Sequence, residues 1–163
     1  MDSKNAIKAA MDLSSMVYRG YLSDLDDAEM LQRPSDGCNH FAWQTGHLIA
    51  SEVGLLESIC PGKAATLPDG FEEAHAKEAA ASDDASQFKS RDEYMQLWDS
   101  VRASTVAALD GLSAEDLDAE SPEHMRDFCP TVGHMFVLIG THPMMHAGQA
   151  VPLRRKTGKP VMF

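Results

Sequence analysis

The sequence predicts an all-α protein, most simply a four-helix bundle, on three observations. Apolar residues recur at steps of three and four along four long segments. No segment alternates apolar and polar residues as a half-buried strand would. Long connections separate these segments, and Pro61-Gly62 ends one of them. The 163 residues suffice for one domain with a sizeable core, so 1–163 is read as a single domain. With 44% hydrophobic and 24% charged residues, the composition is that of a folded chain rather than a disordered one.

The first helix is expected over 4–22, with Ile7, Ala10, Met11, Val17, Tyr18 and Tyr21 at helical intervals and Asp2 or Ser3 as its cap. The second is expected over 40–59, with Asn39 as cap and Pro61-Gly62 as terminator. Trp43, His47, Ala50 and Gly54 share a stripe on it. The third begins at Ser90, where Ser90 and Glu93 form an S-x-x-E capping box. Tyr94, Leu97, Trp98, Val101, Thr105, Ala108 and Leu112 mark its apolar face. The fourth is expected over 131–155, carrying Phe136, Leu138, Ile139, Met145 and Val151. Pro143 gives no N–H to the Ile139 carbonyl, so a local opening is expected there, either tolerated or used to aim His142.

The inter-helix connections are long, roughly 15 to 30 residues against the usual two to eight, so up-down-up-down order is not assumed. The connection 61–89, rich in Ala, Asp, Glu and Ser, is read as holding a short helix or as a mobile excursion over the bundle mouth. A weak internal echo pairs Leu22-Ser23-Asp24-Leu25 with Leu112-Ser113, each followed by a proline and then a helix holding Gly-His, at Gly46-His47 and Gly133-His134.

The net charge of −11 argues against nucleic acid and anionic membranes as partners. The one basic cluster, Arg154-Arg155-Lys156 with Lys159, reads as cations complementing a helix C-terminus rather than an anion site. Three cysteines, Cys38, Cys60 and Cys129, with no C-x-x-C, make a disulfide framework unexpected and fit a reducing cytoplasm. No signal peptide or membrane-spanning run is read.

The candidate chemistry lies in the histidines. His142 and His146 are four apart and share a helix face; His47 lies on an inward stripe of another helix. Three such imidazoles can meet at one divalent metal ion and leave other positions open to water or substrate. Against this, seven histidines give such spacings by chance, and a His on an apolar face is commonly a hydrogen-bonded core residue. His134 lies about 12 Å along the axis from His142, too far to share an ion easily. His40 reads as part of the start of the second helix, and His75 and His124 as solvated. Met144 and Met145 read as core fillers rather than soft-metal ligands, and Trp43 and Trp98 as core or pocket residues. Glu52 lies five residues after His47, about 140° around the helix, so it is not placed in the same cavity. Gln149 reads either as orienting a ligand or as a helix-end residue.

Gly46-His47-Leu48 in a helix carrying Trp43, with His142-Pro143-Met144-Met145-His146-Ala147-Gly148-Gln149 in the last helix, resembles the DinB-like superfamily, named for a DNA-damage-inducible protein. The resemblance implies an up-down-down-up four-helix bundle, which suits the long connections. It implies that His47, His142 and His146 bind one divalent ion (nickel, zinc, iron or manganese), and that the chain forms a homodimer.

Three neutral imidazoles leave a 2+ charge uncompensated, which acidifies bound water and attracts thiolates or carboxylates. Two enzyme readings follow: hydrolysis of an ester or amide, and transfer of a low-molecular-weight thiol to an electrophile. The resemblance favours the second, since similar proteins include transferases and isomerases that use bacillithiol or mycothiol. The rival reading is a non-catalytic bundle in which the ion staples two helices and a partner or small molecule binds elsewhere. A third is a helical interaction module whose histidines belong to the core. Substrate and general base are left unassigned.

Overall fold

The computed structural model describes residues 1–162, and these are all-helical, with one isolated bridge between Glu120 and Thr131 and no strand. Helix α1 (Ser3–Leu22) starts at Asp2, whose carboxylate accepts the Asn5 N–H at 2.8 Å. A cap of this kind is worth about 1 kcal/mol. Helix α2 (Asp27–Met30) is a single turn closed by a reciprocal Asp26/Glu29 capping box.

Helix α3 (Phe41–Ile59) is capped by His40 rather than Asn39: the His40 Nδ1 accepts the Trp43 N–H at 3.0 Å. An imidazole lone pair does here what an Asn oxygen was expected to do. The stripe on α3 also stops short of its expected end, because Gly54 is exposed with open space where a side chain would be.

The connection 61–89 holds a short helix, the first of the two expected forms, and is pinned to the bundle rather than left as a free excursion. It holds α4 (Phe71–Ala74) and two 3₁₀ turns, Lys77–Ala79 and Ala85–Gln87. Side chains from the preceding part of the chain take up its carbonyls. Trp43 Nε1 donates to Ala76 at 3.1 Å, His40 Nε2 pairs with the Ser82 carbonyl at 3.1 Å, and Arg33 Nη2 reaches Ala80 at 3.2 Å. His75, expected to be solvated, is only 2% exposed because this pinning presses α4 against α3.

Helix α5 (Arg91–Gly111) opens with the expected Ser90/Glu93 capping box. Helix α6 (Ala114–Asp118) follows with its own box, Ser113/Asp116. A long helix followed by a one-turn capped helix thus occurs twice, in line with the sequence echo. The echo ends there: His134 sits exposed in the first turn of the next helix, whereas His47 is half-buried in the second turn of α3.

The fourth expected segment is two helices, α7 (Val132–Ala147) and α8 (Ala150–Lys156). Pro152 has no N–H for the Gly148 carbonyl and its ring would clash with that carbonyl, so the chain turns at Gly148–Gln149 and restarts. Pro143, by contrast, is tolerated within α7. Arg154 is 1% exposed, paired with Asp24 at 2.6 Å and donating to the Tyr21 carbonyl at 2.7 Å, so it fastens α8 to the end of α1 and is no free anion site.

Helices α1, α3, α5 and α7 enclose the core. Along α1, Ser14 donates to the Gly140 carbonyl of α7, while Lys8 pairs with Asp110 at 2.8 Å and Arg19 with Asp99 of α5. Gly140 permits the close approach of α7, since a Cβ there would lie 2.9 Å from the Met11 side chain. Helix α3 packs against both α5 and α7 and also meets α1, with Thr45 2.9 Å from Tyr18 of α1 and Glu52 2.7 Å from Thr105 of α5. Met144 and Met145 do not fill core gaps: they are 39% and 69% exposed. Phe136, Ile139, Pro143 and Ala147 claim the inner face of α7, which turns both methionines outward. All three cysteines are unbridged, as expected.

Candidate metal centre

The three candidate ligands meet. His47 from α3 and His142 and His146 from α7 form the grouping in which one nitrogen of each lies within 4.8 Å of the others. The ring centroids are 5.6 Å apart for His47 and His142, 5.7 Å for His47 and His146, and 5.0 Å for His142 and His146. Bonds of about 2.1 Å to a tetrahedral ion put neighbouring donors about 3.4 Å apart, so small ring rotations close this cluster on an ion. The i, i+4 spacing on α7 supplies two donors from adjacent turns, and the third comes from the facing second turn of α3.

The protonation state suits ligation. Burial pushes His142 and His146 down to about 4, helped by the neighbouring imidazoles. Burial also lowers His47, partly opposed by a hydrogen bond to the His75 backbone. All three are therefore neutral at pH 7 with lone pairs free, the form a divalent ion requires. The donor set fits an ion such as zinc or nickel, and the cluster includes no carboxylate or cysteine.

Two buried supports hold the rings. Gln44 Oε1 lies 2.9 Å from His146 Nδ1, and Gln44 is 0% exposed. The second support begins at Gly46. The His75 imidazole fills the space above it, bonded through Nδ1 to the Phe71 carbonyl and through Nε2 to the Tyr94 hydroxyl, each at 2.7 Å. His75 is thereby packed directly above the turn of α3 that carries His47. Trp43 stacks on His47 at 4.8 Å and 6° between planes, so it is both a core residue and a wall of the site.

The other candidates lie elsewhere. His134 is exposed and bonded to Thr131 Oγ1 at 2.8 Å, and His124 is exposed as expected. Glu52 faces Arg102 and Thr105 of α5, away from the rings. Gln149 occupies the cap position of α8 and its side chain makes no capping bond. A cavity of about 550 Å³ lined by Ile59, Cys60, Lys63 and Gly111 lies at the opposite end of α3.

Gln44 has no place in the sequence reading, Gly46 enters it only within the Gly-His motif, and His75 only as a solvated residue. For Gln44 a signal existed: it lies three residues before His47 and shares its inward face. For His75 none did, because its burial depends on a packed connection 29 positions away from Gly46.

The sequence profile of the DinB superfamily matches residues 10–150. The fold is similar to the crystal structure of a conserved protein from Enterococcus faecalis, at 21% identity and a TM-score of 0.62, covering 98% of this chain and 99% of that one. No curated protein matches the sequence.

Proposed function

This chain belongs to the DinB superfamily, and from that membership together with the triad we propose that His47, His142 and His146 hold one divalent ion in a metal-dependent enzyme. The reaction class is transfer of a low-molecular-weight thiol or, failing that, hydrolysis, on a small-molecule substrate. The observation that carries this is the convergence of three neutral imidazoles within 4.8 Å. A bound 2+ ion with three neutral ligands supplies Lewis acidity and attraction for an anionic sulfur or oxygen. The chain's own part is to aim the His146 ring through Gln44 and to wall one side of His47 with Trp43.

A second reading is a non-catalytic, metal-stapled bundle that binds a partner or small molecule. It is favoured by the placing of its ligands on two helices, which an ion would tie together. The two readings separate by experiment. Metal-loaded protein is incubated with low-molecular-weight thiols and monochlorobimane, and adduct formation is followed. Turnover that falls at least tenfold in His47→Ala is expected of the enzyme; tight metal binding with no turnover on any thiol or ester favours the staple.

The up-down-down-up order is supported by pairings along α1, where partners rise in number on α7 and α8 (Ser14 with Gly140, Tyr21 with Arg154) and fall on α5 (Lys8 with Asp110, Arg19 with Asp99). Residues 1–163 are read as one domain. A homodimer is supported by the outward-facing Leu13, Met16, Val137, Met144 and Met145 of α1 and α7. The charge of −11 speaks against nucleic acid and anionic membranes as partners. Among the described residues no helix is long and apolar enough to cross a membrane. Residence in the reducing cytoplasm is supported by the unbridged cysteines.

A further inference from the structure

We infer that Gln44 is the positioning residue of the centre, fixing the tautomer of His146 so that Nε2 is its metal-binding nitrogen. This rests on reading the triad as a metal centre. The Gln44 side chain is fully buried and has two partners of opposite kind: its amide nitrogen donates to the Asn39 carbonyl, and its amide oxygen faces His146 Nδ1 at 2.9 Å. The Asn39 carbonyl can only accept, so the amide cannot flip without setting two oxygens against each other. The oxygen facing His146 can likewise only accept, so Nδ1 must carry the proton. The lone pair is then left on Nε2.

The arrangement has a mechanical consequence. Asn39 immediately precedes the cap of α3, and Gln44 lies in its first turn. The start of α3 thus controls the orientation of a ring on α7, while the next turn of α3 carries His47. Both sides of the centre are referenced to one helix end. Without the amide oxygen, His146 divides between two tautomers and two ring orientations, and part of the population presents N–H toward the ion. Loss of such a supporting partner typically weakens metal affinity about 10- to 100-fold.

Two measurements test this. In metal-free wild type at pH 7, ¹⁵N NMR of the imidazoles is expected to find His146 as the Nδ1–H tautomer; a predominant Nε2–H form overturns the inference whatever any variant does. In competition with a chromophoric zinc chelator, Gln44→Met is expected to bind zinc about 10- to 100-fold more weakly than wild type. Its His146 signals should show mixed tautomers. A folded Gln44→Met with unchanged affinity and an unchanged tautomer also overturns it. Wild type that takes up no zinc defeats the metal-centre reading instead, and the tautomer still decides the role of Gln44 in holding His146.

Discussion

Gly46→Ala is expected to destabilise the protein by about 3–5 kcal/mol and to weaken metal binding at the same time. An added Cβ would lie 2.0 Å from His75 Cδ2, 2.1 Å from Nε2 and 2.5 Å from Cγ. No real contact is that short, so either the ring or the helix must move. The ring is not free to yield: it is 2% exposed and both nitrogens are bonded, to Phe71 and Tyr94. Displacing it overpacks the α3–α4 seam and strands buried polar groups, the two costs that make up the expected loss. If the helix yields instead, the turn of α3 next to Gly46 shifts and carries His47 away from His142 and His146. Urea denaturation measures the stability loss and chelator competition the affinity. The cycle with His75→Ala is decisive: in that background the methyl has room, so Gly46→Ala should cost less than 1 kcal/mol. Equal costs in both backgrounds would mean that His75 does not occupy the space above Gly46.

Glu52→Ala is expected to cost about 3–5 kcal/mol while leaving metal content intact. Glu52 is 7% exposed, accepts the Thr105 hydroxyl at 2.7 Å and lies 2.9 Å from Arg102 Nη2. The contact with Arg102 is ionic rather than a well-aligned hydrogen bond, and Nε and Nη1 of Arg102 have no partner in the core. Burial raises the Glu52 carboxyl, with Arg102 and Thr105 opposing, and lowers Arg102. The pair is therefore held by mutual charge, and removing the carboxylate abandons a buried guanidinium over the Trp98 ring. Replacing both partners, as Glu52→Leu with Arg102→Met, should recover most of the loss, since an apolar pair of similar volume avoids the desolvation cost. Urea midpoints of the single and double variants check this. A drop in bound metal with unchanged stability would instead put Glu52 in the site chemistry, against its observed facing.

Features set by local sequence were legible before the structure. The Ser90/Glu93 box, the helical apolar spacing of α1 and α5, and the shared face of His142 and His146 need only neighbours within four residues. Features set by distant contacts were not. His75 looks solvated among Glu73, Lys77 and Glu78, and only the pinning of 61–89 by Arg33, His40 and Trp43 buries it. Met144 and Met145 look like core residues until the inner face of α7 is fixed by its packing on α1 and α3. The His40 cap was missed because imidazole is an uncommon capping acceptor. The triad lies between these cases. Its α7 half is local, but that His47 is the third member depends on the crossing of α3 and α7, which spacing alone does not determine.

Elemental analysis of untagged protein, purified without a metal-charged resin, is the most direct test that His47, His142 and His146 form a metal centre. About one divalent ion per chain is expected in wild type, with the ion lost from His47→Ala and His142→Ala variants that remain folded. A wild-type chain that emerges metal-free and takes up neither zinc nor nickel at micromolar concentration would contradict it, as would variants that keep the ion.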